Sequence, residues 1–199
     1  KISIIVVCLN EEKGIRDTLN SIVNQTYNNY QLIIVDGKSI DNTLNIIHEF
    51  KNNIDTLISE KDTGVYFSMN RAIDYISGDI VGFLNGGDRL SNKYVFQDLI
   101  KCFKNEEISY VYGDKSYFSK SNKNKIIRRW KVGNIQRKYI KNGWSIPHLS
   151  TYIRSNIFYD IGKFNTKFKI AADFDFLLKL ISNSDLKYIY LDKYIVEME

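Results

Sequence analysis

The sequence predicts an α/β fold built on a mostly parallel, Rossmann-like central sheet flanked by helices. Three observations predict it. The N-terminal half alternates short apolar runs with longer amphipathic segments, the order of βαβ units, whose parallel strands need a covering crossover. The opening run ISIIVVCL is apolar without interruption, as a strand buried on both faces is. Polar residues gather just behind the apolar runs, which points every strand end of this half at one edge.

The elements follow in order. After the first strand, Asn10 reads as a helix cap, with Glu11 and Glu12 in the first turn, where carboxylates favour the positive end of the helix dipole. Ile15, Leu19, Ile22 and Val23 then fall on one helical face. QLIIVD is a second strand, 41–50 a second helix, DTLISE a short strand, 65–76 a third helix stopped at Gly78, and DIVGFL a fourth strand. A helix over 93–103 turns Phe96, Leu99, Ile100 and Phe103 inward before the strand ISYVYGD. Beyond Asp114 the regularity fails, and an irregular or antiparallel excursion is expected. A strand at 149–153 and a helix over 172–181 follow. There is no internal repeat, and the only proline is Pro147, so no proline-rich linker divides the chain and 1–199 reads as one domain.

At 199 residues the chain is long enough for a substantial core. With 44% hydrophobic and 26% charged residues it reads as globular, and no run approaches the roughly 18–20 apolar residues of a membrane span. It opens without an initiator Met or a signal-peptide layout and stops at IVEME, mid-pattern, so it reads as trimmed. Cys8 and Cys102 match no metal or redox spacing and are expected to be reduced core thiols of a cytosolic protein. The net charge of +5 is unevenly placed. Residues 1–100 hold 9 basic and 13 acidic side chains, residues 101–199 hold 19 and 10, and 115–141 holds ten Lys and Arg with no acid. An acidic half joined to a basic half implies two jobs.

In open α/β sheets, ligands bind beyond the carboxyl ends of the strands. The residues there are Asn10-Glu11-Glu12, Asp36-Gly37-Lys38-Ser39, Glu60-Lys61-Asp62 and Asn85-Gly86-Gly87-Asp88. As a set they point to a binding site; singly, Asn10 and Asp41 could only cap helices, and Asp36 only close a turn. Neither the glycine-rich dinucleotide fingerprint nor a phosphate loop is present. A carboxylate-lined site repels a bare phosphate unless a divalent cation intervenes, and Mg²⁺ or Mn²⁺ is commonly shared between carboxylates and substrate phosphates. Asp88 is the natural ligand, and Gly86 and Gly87 would let a diphosphate approach the backbone closely.

The string VVCLNEE, IIVDGKSIDNT, SEKDTGVYFSMNRAI, GDIVGFLNGGD, IPHLSTYIR and KIAADFDFLLKL resembles family-2 glycosyltransferases with the GT-A fold, of the kind that builds bacterial surface polysaccharides such as O-antigen and capsule. The resemblance spans nearly the whole chain in order. It implies a nucleoside-diphosphate-sugar donor, most often a UDP-sugar, bound by 1–114, with Asn10, Glu12, Asp36, Ser39, Asp62, Arg71, Asn85, Gly86 and Gly87 on the donor side. Asp36 and Asp62 would meet base or ribose, Arg71 the base or phosphates. Asp88 would hold Mn²⁺ or Mg²⁺. The usual pair of acids reads N-G-G-D here, which implies either weak metal affinity without donor or a second ligand from elsewhere; His148 is a candidate, as is a plain buried role for it. The second half, 115–199, would serve a saccharide or polyprenyl-diphosphate-linked acceptor, with Asp173 as the base that takes the hydroxyl proton. Ala172 stands where the family has a glutamate. Asp175, about 200° further round the helix, should face elsewhere. An inverting displacement at the cytoplasmic membrane surface is implied.

Two rival classes remain. A nucleotidyltransferase would use similar carboxylates, but needs a glycine-rich basic loop where this chain has Asn-Glu-Glu. A nucleic-acid-binding module would use the basic stretch with Tyr117, Phe118, Trp130 and Tyr139; the acidic first half argues against nucleic acid. The same stretch, 115–141, is either a solvated face or a surface for anionic lipid at the inner side of the cytoplasmic membrane.

Overall fold

The computed structural model describes residues 1–61, 64–119, 121–136, 138, 140 and 143–199. The strands are β1 (Ile2–Cys8), β2 (Tyr30–Asp36), β3 (Thr56–Ser59), β4 (Ile80–Asn85), β5 (Arg89–Leu90), β6 (Ile108–Ser119), β7 (Asn122–Trp130), β8 (Thr151–Arg154) and β9 (Lys187–Met198). The helices are α1 (Ile15–Val23), α2 (Thr43–Glu49), α3 (Val65–Ile73), α4 (Val95–Phe103), α5 (Ile157–Ile161) and α6 (Ala172–Ser182). Among the described residues all nine strands join one sheet, ordered β3-β2-β1-β4-β8-β6-β9-β5, with β7 on the side of β6.

β1 buries all seven of its residues, because parallel neighbours flank it on both sides and helices cover its faces. β3, β2, β1 and β4 run parallel. The parallel pattern ends at β4, whose other neighbour, β8, is antiparallel. β6 pairs antiparallel to β8 and β7 but parallel to β9. α1 buries Ile15, Leu19 and Ile22, and α4 buries Phe96, Leu99 and Phe103, the apolar stripes their sequences carry. In the second half, α6 buries Phe176, Leu177, Leu180 and Ile181.

Three features differ from the sequence expectation. Helix α1 begins at Ile15 behind Gly14, so Asn10 is not its cap and Glu11 and Glu12 precede its first turn. Asn10 is held in the left-handed region, φ 54°, by bonds to the next loop. Of the irregular or antiparallel excursion expected for the basic stretch, the antiparallel alternative holds over 115–119 and 122–130, but the strand β6 runs on through Asp114 instead of ending there; Lys120, Arg137, Tyr139 and Lys141 lie outside the described residues. The long β9 escapes a reading by period, because Asp192 and Lys193 interrupt it and most of it is half-buried.

The register sets the candidate site. Cys8 pairs with Asp36, Asp36 with Ser59, and Val7 with Asn85. The polar ends of β2, β3 and β4 therefore lie in nearly one row at the carboxyl edge. Cys8 and Cys102 are free thiols, the first buried and the second half-buried. Burial, then the nearby Asp36, pushes the Cys8 thiol far up, so it is an inert core group. Among the described residues no helix is long and apolar enough to cross a membrane.

Candidate active site at the carboxyl edge

The loops after β1 and β2 are tied to each other before they meet any ligand. Asp36 is completely buried. Its carboxylate accepts from the Ser39 amide and hydroxyl and, at 2.7 Å, from the Ser59 hydroxyl. Ser39 Oγ in turn accepts from the Asn10 amide at 2.8 Å, and Asn10 Oδ1 accepts from the Ile40 amide at 2.9 Å. The Glu12 amide donates to Asp41, while the Glu12 carboxylate accepts from the Asn42 amide. Asp36 thus presents no surface to a base or ribose. It fixes the β2 loop from beneath and acts on a ligand only through Ser39 and its neighbours. Arg71, on α3, is paired with Glu60 behind β3. Asp62 lies outside the described residues.

Gly86 and Gly87 have an internal reason to be glycine. A Cβ on Gly86 would stand 2.8 Å from Cys8 Cβ and 2.9 Å from Glu11 Cγ, closer than real side chains pack. Gly87 adopts φ +95°, a region open mainly to glycine, and its amide donates to Thr18 Oγ1 at 3.0 Å. The pair admits this chain's own first loop, a requirement independent of the diphosphate approach expected from the sequence.

Asp88, just behind them, is 7% exposed. It accepts from Asn85 Nδ2 at 3.2 Å and from the Glu199 amide at 3.3 Å. Burial pushes its carboxyl up to about 6, against those two hydrogen bonds, and Glu11 adds to the rise. Such a carboxylate gains from a cation. Among the described residues, however, no three His, Cys, Asp or Glu side chains converge as a metal cage. The residues fit a cation shared with a ligand's oxygens, not one enclosed by protein.

Two cavities adjoin at the end of β4. One, of about 270 Å³, is lined by Cys8, Leu9, Glu11, Val35, Ser68 and Gly86. The other, of about 200 Å³, is lined by Tyr66, Lys115, His148, Asp173 and Met198. Val65 and Asn85 line both. In the second, Asp173 accepts from the Tyr66 hydroxyl at 2.8 Å. Burial and that carboxylate raise the Tyr66 pKa, so Tyr66 stays a donor. Asp175 pairs instead with Lys179 at 2.8 Å, on another side of α6. His148 stacks at 5.2 Å on Phe83, and its Nε2 is buried with no hydrogen-bond partner among the described residues. Burial pushes the imidazole down to about 4, although Asp173 opposes this; it is neutral near pH 7, with a lone pair for a hydrogen bond or a cation.

Sequence reasoning missed Tyr66 and Lys115 as lining groups. Lys115 follows the expected strand end at Asp114 directly, a signal of the kind used elsewhere along this edge. Nothing local marks Tyr66, whose partner is 107 positions away.

A parallel sheet edge carrying acids thus stands next to a helix-borne carboxylate from the second half. Residues 3–166 match the family model described as glycosyl transferase family 2, and the chain belongs to that family. It is 32% identical over 194 residues to a PGL/p-HBAD biosynthesis glycosyltransferase of Mycobacterium bovis, covering 95% of this chain and 73% of that one. It is 34% identical over 115 residues to the Escherichia coli UDP-Glc:alpha-D-GlcNAc-diphosphoundecaprenol beta-1,3-glucosyltransferase WfgD, covering 57% and 45%. Among solved structures, S. aureus TarS 1-349 in complex with UDP-GlcNAc superposes with a TM-score of 0.78 at 21% identity, over 99% of this chain and 58% of that one. The GT-A fold is therefore shared, and the chain spans under two thirds of TarS.

Proposed function

We propose that the chain transfers a sugar from a nucleoside diphosphate sugar, with a UDP-sugar as the expected donor, to a saccharide or lipid-linked acceptor, inverting the anomeric centre. One observation carries this reading: the two cavities meet at Asn85, with the glycine-lined edge on one side and Asp173 on the other. A donor seated in the first, over Asn10, Glu12, Ser39 and Gly86, would turn its anomeric carbon toward the second. Residues 1–114 then serve the donor and 115–199 the acceptor within one domain, a division that the single sheet crossing both halves supports.

Asp173 takes the proton of the acceptor hydroxyl, with Tyr66 fixing the carboxylate by its hydrogen bond. The acceptor oxygen forms its bond to the anomeric carbon as the bond to the diphosphate breaks, and the electron pair leaves with the diphosphate. Attack from the side opposite the leaving group inverts the configuration. A divalent cation, Mn²⁺ or Mg²⁺, held by Asp88, with His148 as a second candidate ligand, would supply positive charge to the departing diphosphate. Lone Asp88 makes that cation dependent on donor oxygens. A lipid-linked acceptor and the basic composition of 115–141 support work at the inner face of a membrane.

The test is donor hydrolysis and transfer with a panel of nucleotide-sugars. Release of nucleoside diphosphate from one donor supports the reading. Release of pyrophosphate from a nucleoside triphosphate and sugar phosphate would favour a nucleotidyltransferase, and binding of nucleic acid without turnover would favour the binding module.

A further inference from the structure

Lys115 and Arg128 share an arrangement that the transfer reaction above leaves unused. Lys115 Nζ lies 5.0 Å from the Tyr117 ring centre and 4.7 Å from that of Trp130. The Arg128 guanidinium lies 5.7 Å from both of the same rings. Two aromatic side chains, one on β6 and one on β7, are thus shared by the two cations. Neither cation pairs with a carboxylate among the described residues, whereas Lys123 and Lys131 nearby are answered by Asp17 and Asp192 at 2.5 and 2.9 Å. Ring faces stabilise both cations; Lys115 also lies near enough to Asp88 to oppose the rise of its pKa, while Arg128 is exposed. Lys115 also lines the cavity that contains Asp173, so an anion here would sit beside the catalytic carboxylate and not on a remote surface.

We propose that Lys115 and Arg128, seated on Tyr117 and Trp130, form a phosphoryl-binding site for the acceptor. The inference rests on the glycosyltransferase reading and deepens it, naming a phosphate- or diphosphate-bearing acceptor and the side chains that read it. A phosphoryl group carries the charge that two cations need, and Arg can meet it with two parallel hydrogen bonds. The position on the Asp173 side of Asn85 assigns the group to the acceptor. The donor diphosphate and a membrane headgroup offer the same chemistry, and the experiment separates them.

The full chain, saturated with UDP, is titrated calorimetrically with a short-chain, non-micellar alkyl diphosphate and with the matching alcohol. Wild type should bind the diphosphate and not the alcohol. Lys115→Gln and Arg128→Gln should each weaken binding by about 10- to 100-fold, the effect of one lost charge-assisted contact, while Lys115→Arg and Arg128→Lys retain most of it. Arg128 is exposed, so its variant keeps the test valid if Lys115→Gln misfolds. Unchanged affinity in both Gln variants overturns the proposal, and so does equal binding of alcohol and diphosphate. Loss of alkyl diphosphate binding when UDP is added would give the site to the donor. Binding to anionic vesicles that falls in these variants, with none to the soluble diphosphate, would give it to the membrane. Failure of wild type to bind UDP would overturn the donor reading itself, a result distinct from all of these.

Discussion

Asp88→Asn should abolish sugar transfer and yet make the protein more stable near neutral pH. The carboxyl is 7% exposed and its pKa is pushed from 3.8 up to about 6, mainly by burial. At 1.36 kcal/mol per pH unit, holding it ionised in the folded state costs about 3 kcal/mol. Asparagine has nearly the same shape and no charge. It loses part of the bonding with Asn85 and the Glu199 amide, so the net gain should be about 1–3 kcal/mol. Because the folded-state pKa is raised, the folded protein binds this proton more tightly than the unfolded chain. The stability tied to Asp88 is full below pH 3.8 and is lost as pH rises through about 6. The advantage of the variant should therefore plateau above about pH 6, fall to roughly half at pH 5, and vanish near pH 4. Urea unfolding of both proteins at pH 5 and 7.5 measures it. UDP with Mn²⁺ should then raise the midpoint of wild type and leave that of the variant unchanged. A variant less stable than wild type at pH 7.5, or a difference that ignores pH, would refute the reasoning about a buried charge awaiting a cation.

Three further outcomes follow. Asp173→Asn should cut turnover by about 10²–10⁴, the range for a lost general base, with UDP affinity unchanged by calorimetry; Asp175→Asn, which breaks only a pairing with Lys179, should stay within a few-fold of wild type. Gly86→Ala forces a Cβ to within 2.8 Å of Cys8 Cβ, so urea unfolding should show a loss of about 1–3 kcal/mol, as for an overpacked core, together with weaker UDP binding. Sedimentation with anionic vesicles should fall steeply between low and high salt, since the attraction of 115–141 acts over a Debye length of about 10 Å at 0.1 M; equal binding to neutral vesicles would leave only a solvated face.

The first half was legible because its strands are buried on both faces and their residues say so without help: ISIIVVC and YQLIIVD carry one signal each. β9 carries no such signal. Its strand character comes from pairing with β6, about 80 positions earlier, and Asp192 and Lys193 break both an apolar run and a strict alternation. Asn10 followed by two glutamates is what a helix start looks like, yet bonds to Ser39 and Ile40 hold it in a left-handed turn instead. Helical arithmetic alone separated Asp173 from Asp175, and they do meet different partners, Tyr66 and Lys179.

Strand ends can be located from sequence, but the direction of a side chain at a strand end cannot, and the site turns on that difference. Asp36 and Asp88 both close a parallel strand region, and both are acids at the same edge. Asp36 meets two serine hydroxyls and an amide, and its charge is satisfied inside the fold. Asp88 meets one side-chain amide and one backbone amide at longer range, and burial raises its pKa despite them. A charge already satisfied is structural, because a ligand could gain from it only by breaking what holds it. A charge left under-satisfied in a buried place persists only if something outside the chain completes it. By that criterion Asp88, with His148 Nε2 unpartnered among the described residues, is the part of the edge proposed for a ligand, while Asp36, Ser39 and Asn10 form the frame that holds it in place.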